Sequence, residues 1–205
     1  MPNWCFTDIT IYHNDEEKVK SLKEKIDKWT SKDFVENGFG HNWLGNIVGN
    51  SGIAKWVKQG DRYDFEHNIR CRGSLDSISL DNHRLMLQTS TAWAPMMQMW
   101  VKVCEKYLPD ADILFVAEEP GNGIFETNDP DMIGSYYIDI WEPPEEFIDE
   151  EPMFEAEEGD VVDFLQRVLK TDETDIKKLL KISYDIEDQW FAINQWQECN
   201  IDMCE

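Results

Sequence analysis

The stretch PNWCFTDITIY, residues 2–12, decides the fold because its side chains alternate between two classes. Small or apolar residues occupy every second position, at Cys5, Thr7, Ile9 and Ile11. The positions between them carry aromatic and polar side chains. A period of two is typical of a β-strand that buries one of its faces. Residues 2–12 are therefore predicted to form the first strand of a sheet.

Outward from this strand, the chain alternates helical and extended patterns. Residues 16–31 form an amphipathic helix with apolar positions from Val19 to Trp29, and residues 75–80 and 85–91 form a hairpin. Pro95 precedes a second amphipathic helix that Pro109 ends, and residues 112–117 are β-rich. The order strand, helix, strand, strand, helix, strand predicts an α+β fold. Specifically, it predicts the ferredoxin-like split βαβ sandwich, an antiparallel sheet with two helices on one face.

The domain organisation follows from changes in composition. Residues 1–141 are predicted to be one domain, with residues 135–141 adding a fifth strand. Residues 33–73, rich in Gly, Asn and Trp, form an irregular insertion in this domain with a short helix near residues 53–58. Residues 142–160 form an acidic extended segment or linker, and residues 161–205 a C-terminal helical extension with two helices. The pattern of residues 186–197 is ambiguous.

Charge is distributed very unevenly along the 205 residues. The chain has 19 Lys and Arg against 42 Asp and Glu, for a net charge of −23, of which residues 111–205 carry −22. Residues 142–160 contain 10 acidic and no basic residues. This balance argues against direct binding to nucleic acid or to an anionic membrane, because both require Lys and Arg to replace counterions.

The acidic residues have two alternative interpretations. They keep the chain soluble by self-repulsion, or they form a surface that docks on a basic protein partner, imitating the phosphates of a nucleic acid. Under the second interpretation, nine residues are predicted to form the partner-binding surface: Glu145, Glu146, Asp149, Glu150, Glu151, Glu155, Glu157, Glu158 and Asp160.

A ligand pocket is the alternative candidate site. Irregular loops on a rigid sheet often carry binding sites, and aromatic and imidazole side chains can stack on a small ring. A small-molecule or nucleotide-binding enzyme or sensor would use His41, Trp43, His67 and Trp93. A third option is a structural subunit of a larger assembly.

No motif points to catalysis, a metal or a cofactor. The four histidines are scattered and the five cysteines have no CxxC spacing. A cysteine nucleophile needs a base placed beside it, and Cys71, with His67 and Arg70 nearby, is the one candidate. An odd number of cysteines, several among apolar residues, predicts reduced thiols without a structural disulfide, as in a cytoplasmic protein.

Three motifs carry a resemblance to a known family. They are Met1-Pro2-Asn3-Trp4-Cys5, Thr91-Ala92-Trp93-Ala94-Pro95 and Glu119-Pro120-Gly121-Asn122-Gly123. In this order they resemble the YubB-like ferredoxin-like domain family, over residues 1–141. The resemblance implies the fold and a setting on plasmids, phages and integrated elements. It implies no catalytic residues.

These observations predict a non-catalytic accessory protein of a mobile element. Its acidic surface would bind a protein partner with a basic, nucleic-acid-binding surface, and so inhibit a nuclease or defence complex of the host by imitating nucleic acid. The sequence leaves the oligomeric state and the identity of the partner open.

Overall fold

The chain divides into two compact units. The structure, a computed structural model, describes residues 3–36, 39–60, 62–66, 69–186 and 189–201. Unit 1 comprises Met1–Asp129 with Cys199–Glu205, and unit 2 comprises Pro130–Glu198. The predicted domain boundary at residue 141 therefore differs from the observed one, because the strand that ends at Ile140 belongs to unit 2.

Unit 1 is built around an antiparallel sheet in the order β7-β6-β1-β5-β4. A separate hairpin pairs β2 with β3. The elements in chain order are β1 (Trp4–Tyr12), α1 (Glu16–Thr30), α2 (Leu44–Ser51), β2 (Trp56–Gln59), β3 (Arg62–Phe65), β4 (Gly73–Asp81), β5 (Arg84–Ala92), α3 (Met97–Tyr107), β6 (Asp112–Glu119), a 3-10 turn (Pro120–Asn122) and β7 (Ile124–Thr127).

The first strand organises this sheet, as its alternation predicts. β1 pairs with β5 on one side and with β6 on the other, so that Ile9 lies opposite both Leu87 and Phe115. These three side chains are buried. The apolar stripes of α1 and α3, including Leu22 and Trp100, belong to the same core. Outside residues 33–73, the first strand, the two amphipathic helices, the hairpin and the strand that begins at Asp112 are confirmed.

The predicted helix near residues 53–58 is wrong. The helix of this region is α2, and residues 56–59 form a strand. Gly45 and Gly49 obscure the helical pattern in the sequence, because glycine is a poor helix former. Both are needed for close packing: a Cβ at Gly45 would overlap the Trp43 ring, and one at Gly49 would overlap the Phe34 ring.

Unit 2 has its own sheet and its own core. Its elements are β8 (Tyr136–Ile140), a 3-10 turn (Glu145–Phe147), β9 (Met153–Ala156), α4 (Glu158–Leu169), α5 (Ile176–Ser183), β10 (Phe191–Gln195) and β11 (Gln197–Glu198). The sheet order is β10-β8-β9. Ile138, Phe164 and Phe191 lie in one cluster of buried residues.

Three expectations change in unit 2. The strand predicted at residues 135–141 exists, but it lies between β10 and β9 instead of extending the first sheet. Residues 161–205 are not a purely helical extension: α4 and α5 are present as predicted, whereas residues 191–195 form β10. Residues 142–160 are not a linker, since they include a 3-10 turn, β9 and the start of α4.

No helix among the described residues is long and apolar enough to cross a membrane.

Candidate functional site

The acidic segment, residues 142–160, runs along helix α4. The two terminal nitrogens of the Arg167 guanidinium donate to the two carboxylate oxygens of Glu150, and the Glu146 carboxylate lies 3.5 Å from the Lys170 ammonium. Both basic residues belong to the C-terminal end of α4. The segment then returns through β9 to residue 158, where α4 begins. The acidic segment is therefore fixed against its own unit at both ends of this helix.

An aromatic contact anchors the first part of the segment. The Phe147 ring lies 5.0 Å from the ring of Trp190, which is itself buried. The pKa of Arg167 is raised, chiefly by its hydrogen bond to Glu150. Because Arg167 is half exposed, this pair positions the segment more than it stabilises the fold.

Two of the nine predicted partner-binding residues have a structural role. Glu157 and Asp160 form a capping box at the start of α4, in which the Glu157 backbone N–H donates to the Asp160 carboxylate at 2.9 Å. The remaining members are exposed except for Glu150, which is partly buried. Within the described residues, Glu146 and Glu150 are the members that form ion pairs with Lys or Arg.

Large apolar side chains are exposed beside these carboxylates. Ile148 is 65% exposed and Phe154 is 40% exposed within the acidic segment, and Trp141, directly before it, is 42% exposed. Exposed apolar residues surrounded by polar ones are typical of an interaction site when they form one patch. The sequence shows these apolar residues within the acidic segment. They were missed because the predicted surface of nine carboxylates was chosen from charge alone.

Of the four residues predicted to line a ligand pocket, the structure describes His41, Trp43 and Trp93. His41 is exposed, with Nδ1 3.3 Å from Asp33. Trp43 bridges to Ser74 at the edge of β4, and its ring lies 5.5 Å from that of Phe39. Trp93 follows β5, and its N–H donates to the Asn3 carbonyl before β1. His67 lies outside the described residues. A joint site of these four residues stays a prediction.

One corner of the first sheet brings together the three motifs of the family resemblance. The Trp93 N–H donates to the Asn3 carbonyl at 3.0 Å. A Cβ on Gly121 would overlap the Asn3 side chain, so that the third motif lies against the first. The Thr91 hydroxyl donates to the Ala94 carbonyl at 2.8 Å and shapes the turn between β5 and α3. Met1 and Pro2 lie outside the described residues.

A buried carboxylate holds this corner in place. Glu119 is 2% exposed, and its two oxygens accept the backbone N–H groups of Gly121 at 3.0 Å and Asn122 at 2.7 Å. These are charge-assisted hydrogen bonds, the stronger class. Glu119 thus caps the 3-10 turn. An acidic residue directly before Pro-Gly is a capping signal, and it was missed among the candidate residues predicted from the sequence.

The buried thiols are not activated nucleophiles. Burial raises the pKa of the Cys5 thiol to about 11 and the pKa values of the Cys71 and Cys104 thiols to about 12. A reactive cysteine requires the opposite shift, so Cys71 is not a nucleophile poised by its surroundings. The expectation that no cysteine forms a disulfide is wrong for Cys199, which is disulfide-bonded. Cys204 lies outside the described residues.

A cleft of about 290 Å³ lies between α2 and α3 and was not predicted. It is lined by Gly52, Ile53, Lys102, Glu105 and Lys106. The Lys106 ammonium donates to the carbonyls of Ser51 and Gly52 at 3.1 and 2.8 Å. Lysine at this position caps the C-terminal end of α2, where carbonyls lack helical partners. The cleft is therefore explained by the packing of two helices.

In the described part of the chain, no group of three or more His, Cys, Asp or Glu side chains is arranged to hold a metal ion. Comparisons of the chain with protein-family models, with curated proteins and with solved structures find no match.

Proposed function

We propose that this chain is a non-catalytic accessory protein that binds a basic protein partner through the acidic segment. The partner class is a nucleic-acid-binding protein, such as a nuclease or defence complex of the host of a mobile element. The chain would occupy the basic surface in place of nucleic acid. This action belongs in the cytoplasm, where such a partner meets its substrate.

The exposure of Ile148 in the middle of the acidic segment carries this proposal. A surface that only keeps a protein soluble gains nothing from an isoleucine that is 65% exposed. An interface, in contrast, needs apolar anchors surrounded by polar groups, because apolar burial supplies affinity while charge supplies on-rate and selectivity. Trp141 and Phe154 extend the same mixture of apolar and acidic side chains.

The attachment of the segment to α4 also supports binding. A disordered acidic tail loses conformational entropy when it binds. The acidic segment is already ordered by the Glu150–Arg167 pair and by the Phe147 ring against Trp190. Unit 2 as a whole carries 20 acidic and 5 basic residues, a net charge of −15 that attracts a basic partner over a Debye length of about 8 Å in physiological salt.

The architecture proposed for unit 1 is the ferredoxin-like sandwich. Within its sheet, the strands of the strand–helix–strand–strand–helix–strand sequence occur in the order β6-β1-β5-β4, with antiparallel neighbours. The order in which the first and third strands lie at the centre supports this arrangement. The helices α1 and α3 contribute to the core beneath the sheet.

Affinity capture with charge-reversed variants tests the proposed function. The test variant carries four lysines at exposed positions of the acidic segment that form no ion pair among the described residues: Glu145, Asp149, Glu151 and Glu155. Glu146 and Glu150 are left intact because a lysine there would lie beside Lys170 or Arg167. A control variant with the same change in net charge carries lysines at four exposed positions of unit 1: Glu17, Glu24, Glu36 and Glu105.

The expected result is a nucleic-acid-binding protein that wild type and the control variant capture from host lysate and the test variant does not. Added duplex DNA and raised salt should both release it. Capture by all three proteins, or by none, would leave the acidic segment with only a solubilising role and would end the proposal.

A further inference from the structure

Trp93 has a backbone conformation that its side chain disfavours. Its φ is +76°, in the left-handed region, where a bulky residue is an outlier. The side chain is 46% exposed, so nearly half of its surface is available for contact with a partner. Strained residues of this kind occur often at functional sites, because the surrounding structure must hold them in place.

Two further exposed aromatic residues lie at the same end of the sheet. Trp4 is 46% and Phe6 is 52% exposed, on the face of β1 opposite the helices. Trp4 pairs with Ala92, the residue before Trp93, and the Trp93 N–H donates to the residue before Trp4. We define the aromatic patch as Trp4, Phe6 and Trp93.

The strand residues around the aromatic patch include three carboxylates. Phe6 lies opposite Glu118 on β6 and opposite Ser90 on β5, and the Ser90 hydroxyl donates to Asp76. Asp8, the next residue along this face, accepts a hydrogen bond from the Gln88 side chain at 2.9 Å. Both aspartates thus receive neutral donors, and within the part of the chain that the structure describes neither forms an ion pair with Lys or Arg.

Cations are nearly absent from this sheet. The five strands β1, β4, β5, β6 and β7 contain seven acidic residues and one basic residue, Arg84. Arg84 pairs with Tyr12, about 20 Å along β1 from Phe6. The surplus of acidic residues on these strands disfavours phosphate groups at the aromatic patch, even though the exposed Arg72 lies beside it, with its carbonyl accepting the Ala92 N–H at 2.9 Å.

We propose that the aromatic patch is a docking site for an arginine side chain of a protein partner. A guanidinium is planar and weakly hydrated, so it stacks readily on aromatic rings. The face of the ring and nearby carboxylates both attract its positive charge. Asp8 and Asp76 supply that negative charge. The site lies in unit 1 and does not depend on the acidic segment or on the function proposed for it.

Titration with small peptides, followed by NMR of the tryptophan indole N–H groups of the full chain, tests this proposal. The probe is acetyl-Gly-Arg-Gly-Arg-Gly-amide, and the control replaces both arginines with citrulline, which is planar but uncharged. Single Trp→Phe variants assign the resonances. We expect the arginine peptide to shift the Trp4 and Trp93 resonances to saturation, and the citrulline peptide to bind at least tenfold more weakly. Equal binding of the two peptides, or shifts produced by adenosine monophosphate instead, would overturn the proposal.

A Trp93→Gly variant separates function from folding. Glycine adopts φ +76° without strain, so the melting temperature should stay within about 4 °C of wild type, while peptide affinity falls at least tenfold. A large loss of thermal stability would mean that Trp93 serves packing. Unchanged peptide affinity would mean that Trp93 does not contact the arginine peptide. Either result rejects the inference. The fourfold charge-reversed variant of the acidic segment should bind the peptide like wild type. If the peptide binds only through that segment, the aromatic patch is excluded and the proposed function still stands.

Discussion

The three buried thiols should resist alkylation in the native protein and lose this protection on unfolding. An ordinary thiol with a pKa of 9.0 is about one quarter ionised at pH 8.5. The raised pKa of Cys5, about 11, reduces its thiolate fraction about 80-fold. The pKa values of Cys71 and Cys104, about 12, reduce theirs about 800-fold. Burial also hinders access of the alkylating reagent to the sulfur atoms, which lowers the labelling rate further.

Iodoacetamide labelling followed by peptide mass spectrometry measures each cysteine separately. Labelling in urea without a reductant supplies the unfolded reference, in which these three thiols should react at ordinary rates. We expect native protein at pH 8.5 to label Cys71 at least 500-fold more slowly than this reference. Rapid labelling of Cys71 in the native protein would refute the burial argument and restore it as a candidate nucleophile.

The same pKa shifts make unit 1 sensitive to alkali. The folded state favours the neutral thiol, so the stabilising contribution is complete below pH 9 and is lost as pH rises through 11 to 12. The full loss corresponds to about 3 kcal/mol for Cys5 and about 4 kcal/mol for Cys71. A Cys71→Ala variant should lose less stability than wild type between pH 9 and pH 11, measured by urea unfolding.

Substitutions at three further positions test the packing described above. Gly121→Ala should lower the free energy of unfolding by about 1–3 kcal/mol, because the new Cβ overlaps the Asn3 side chain. The control is Gly159→Ala in α4, where nothing lies within 4 Å of a new Cβ, and it should raise the free energy of unfolding by up to about 1 kcal/mol. Urea unfolding of both variants measures the two changes. Equal effects would contradict the contact between Gly121 and Asn3. Asn46→Ala should cost about 2–4 kcal/mol, since this buried amide accepts from the Phe34 N–H and donates to two carbonyls. A smaller loss in a thermal melt would mean that the insertion does not depend on Asn46.

Local periodicity was sufficient to predict the strands β1, β4, β5 and β6 of the first sheet, but it missed β7. The alternation around Ile9 and the helical stripe around Leu22 each place apolar residues on one face, and both faces enter the same core. Helix α2 could not be recognised in this way. Its glycines are explained by the rings of Trp43 and Phe34, contacts that depend on tertiary structure.

The second sheet was not predictable because its pairing is not local. Tyr136–Ile140 has the alternation of a strand, but its partners are residues 153–156 and 191–195, which carry weak patterns of their own. Nothing in its sequence indicates to which sheet it belongs.

The acidic segment shows the limit of an argument from charge. Counting Asp and Glu found the segment, and its prolines suggested an extended linker. The Glu150–Arg167 pair and the Phe147 ring against Trp190 instead hold it on unit 2. The exposed Ile148 is informative only because this anchoring fixes which side chains remain in solvent.

Binding of the captured partner to Ile148→Ser protein, measured by isothermal titration calorimetry, tests the central claim most directly. Ile182→Ser is the matched control, an isoleucine of the same unit that is 48% exposed in α5. If the acidic segment is an interface with an apolar anchor, Ile148→Ser should weaken binding by at least tenfold, about 1.4 kcal/mol, without lowering the melting temperature. The control should bind like wild type. Wild-type affinity in the Ile148→Ser variant would contradict the claim that the acidic segment binds a partner through its exposed apolar residues.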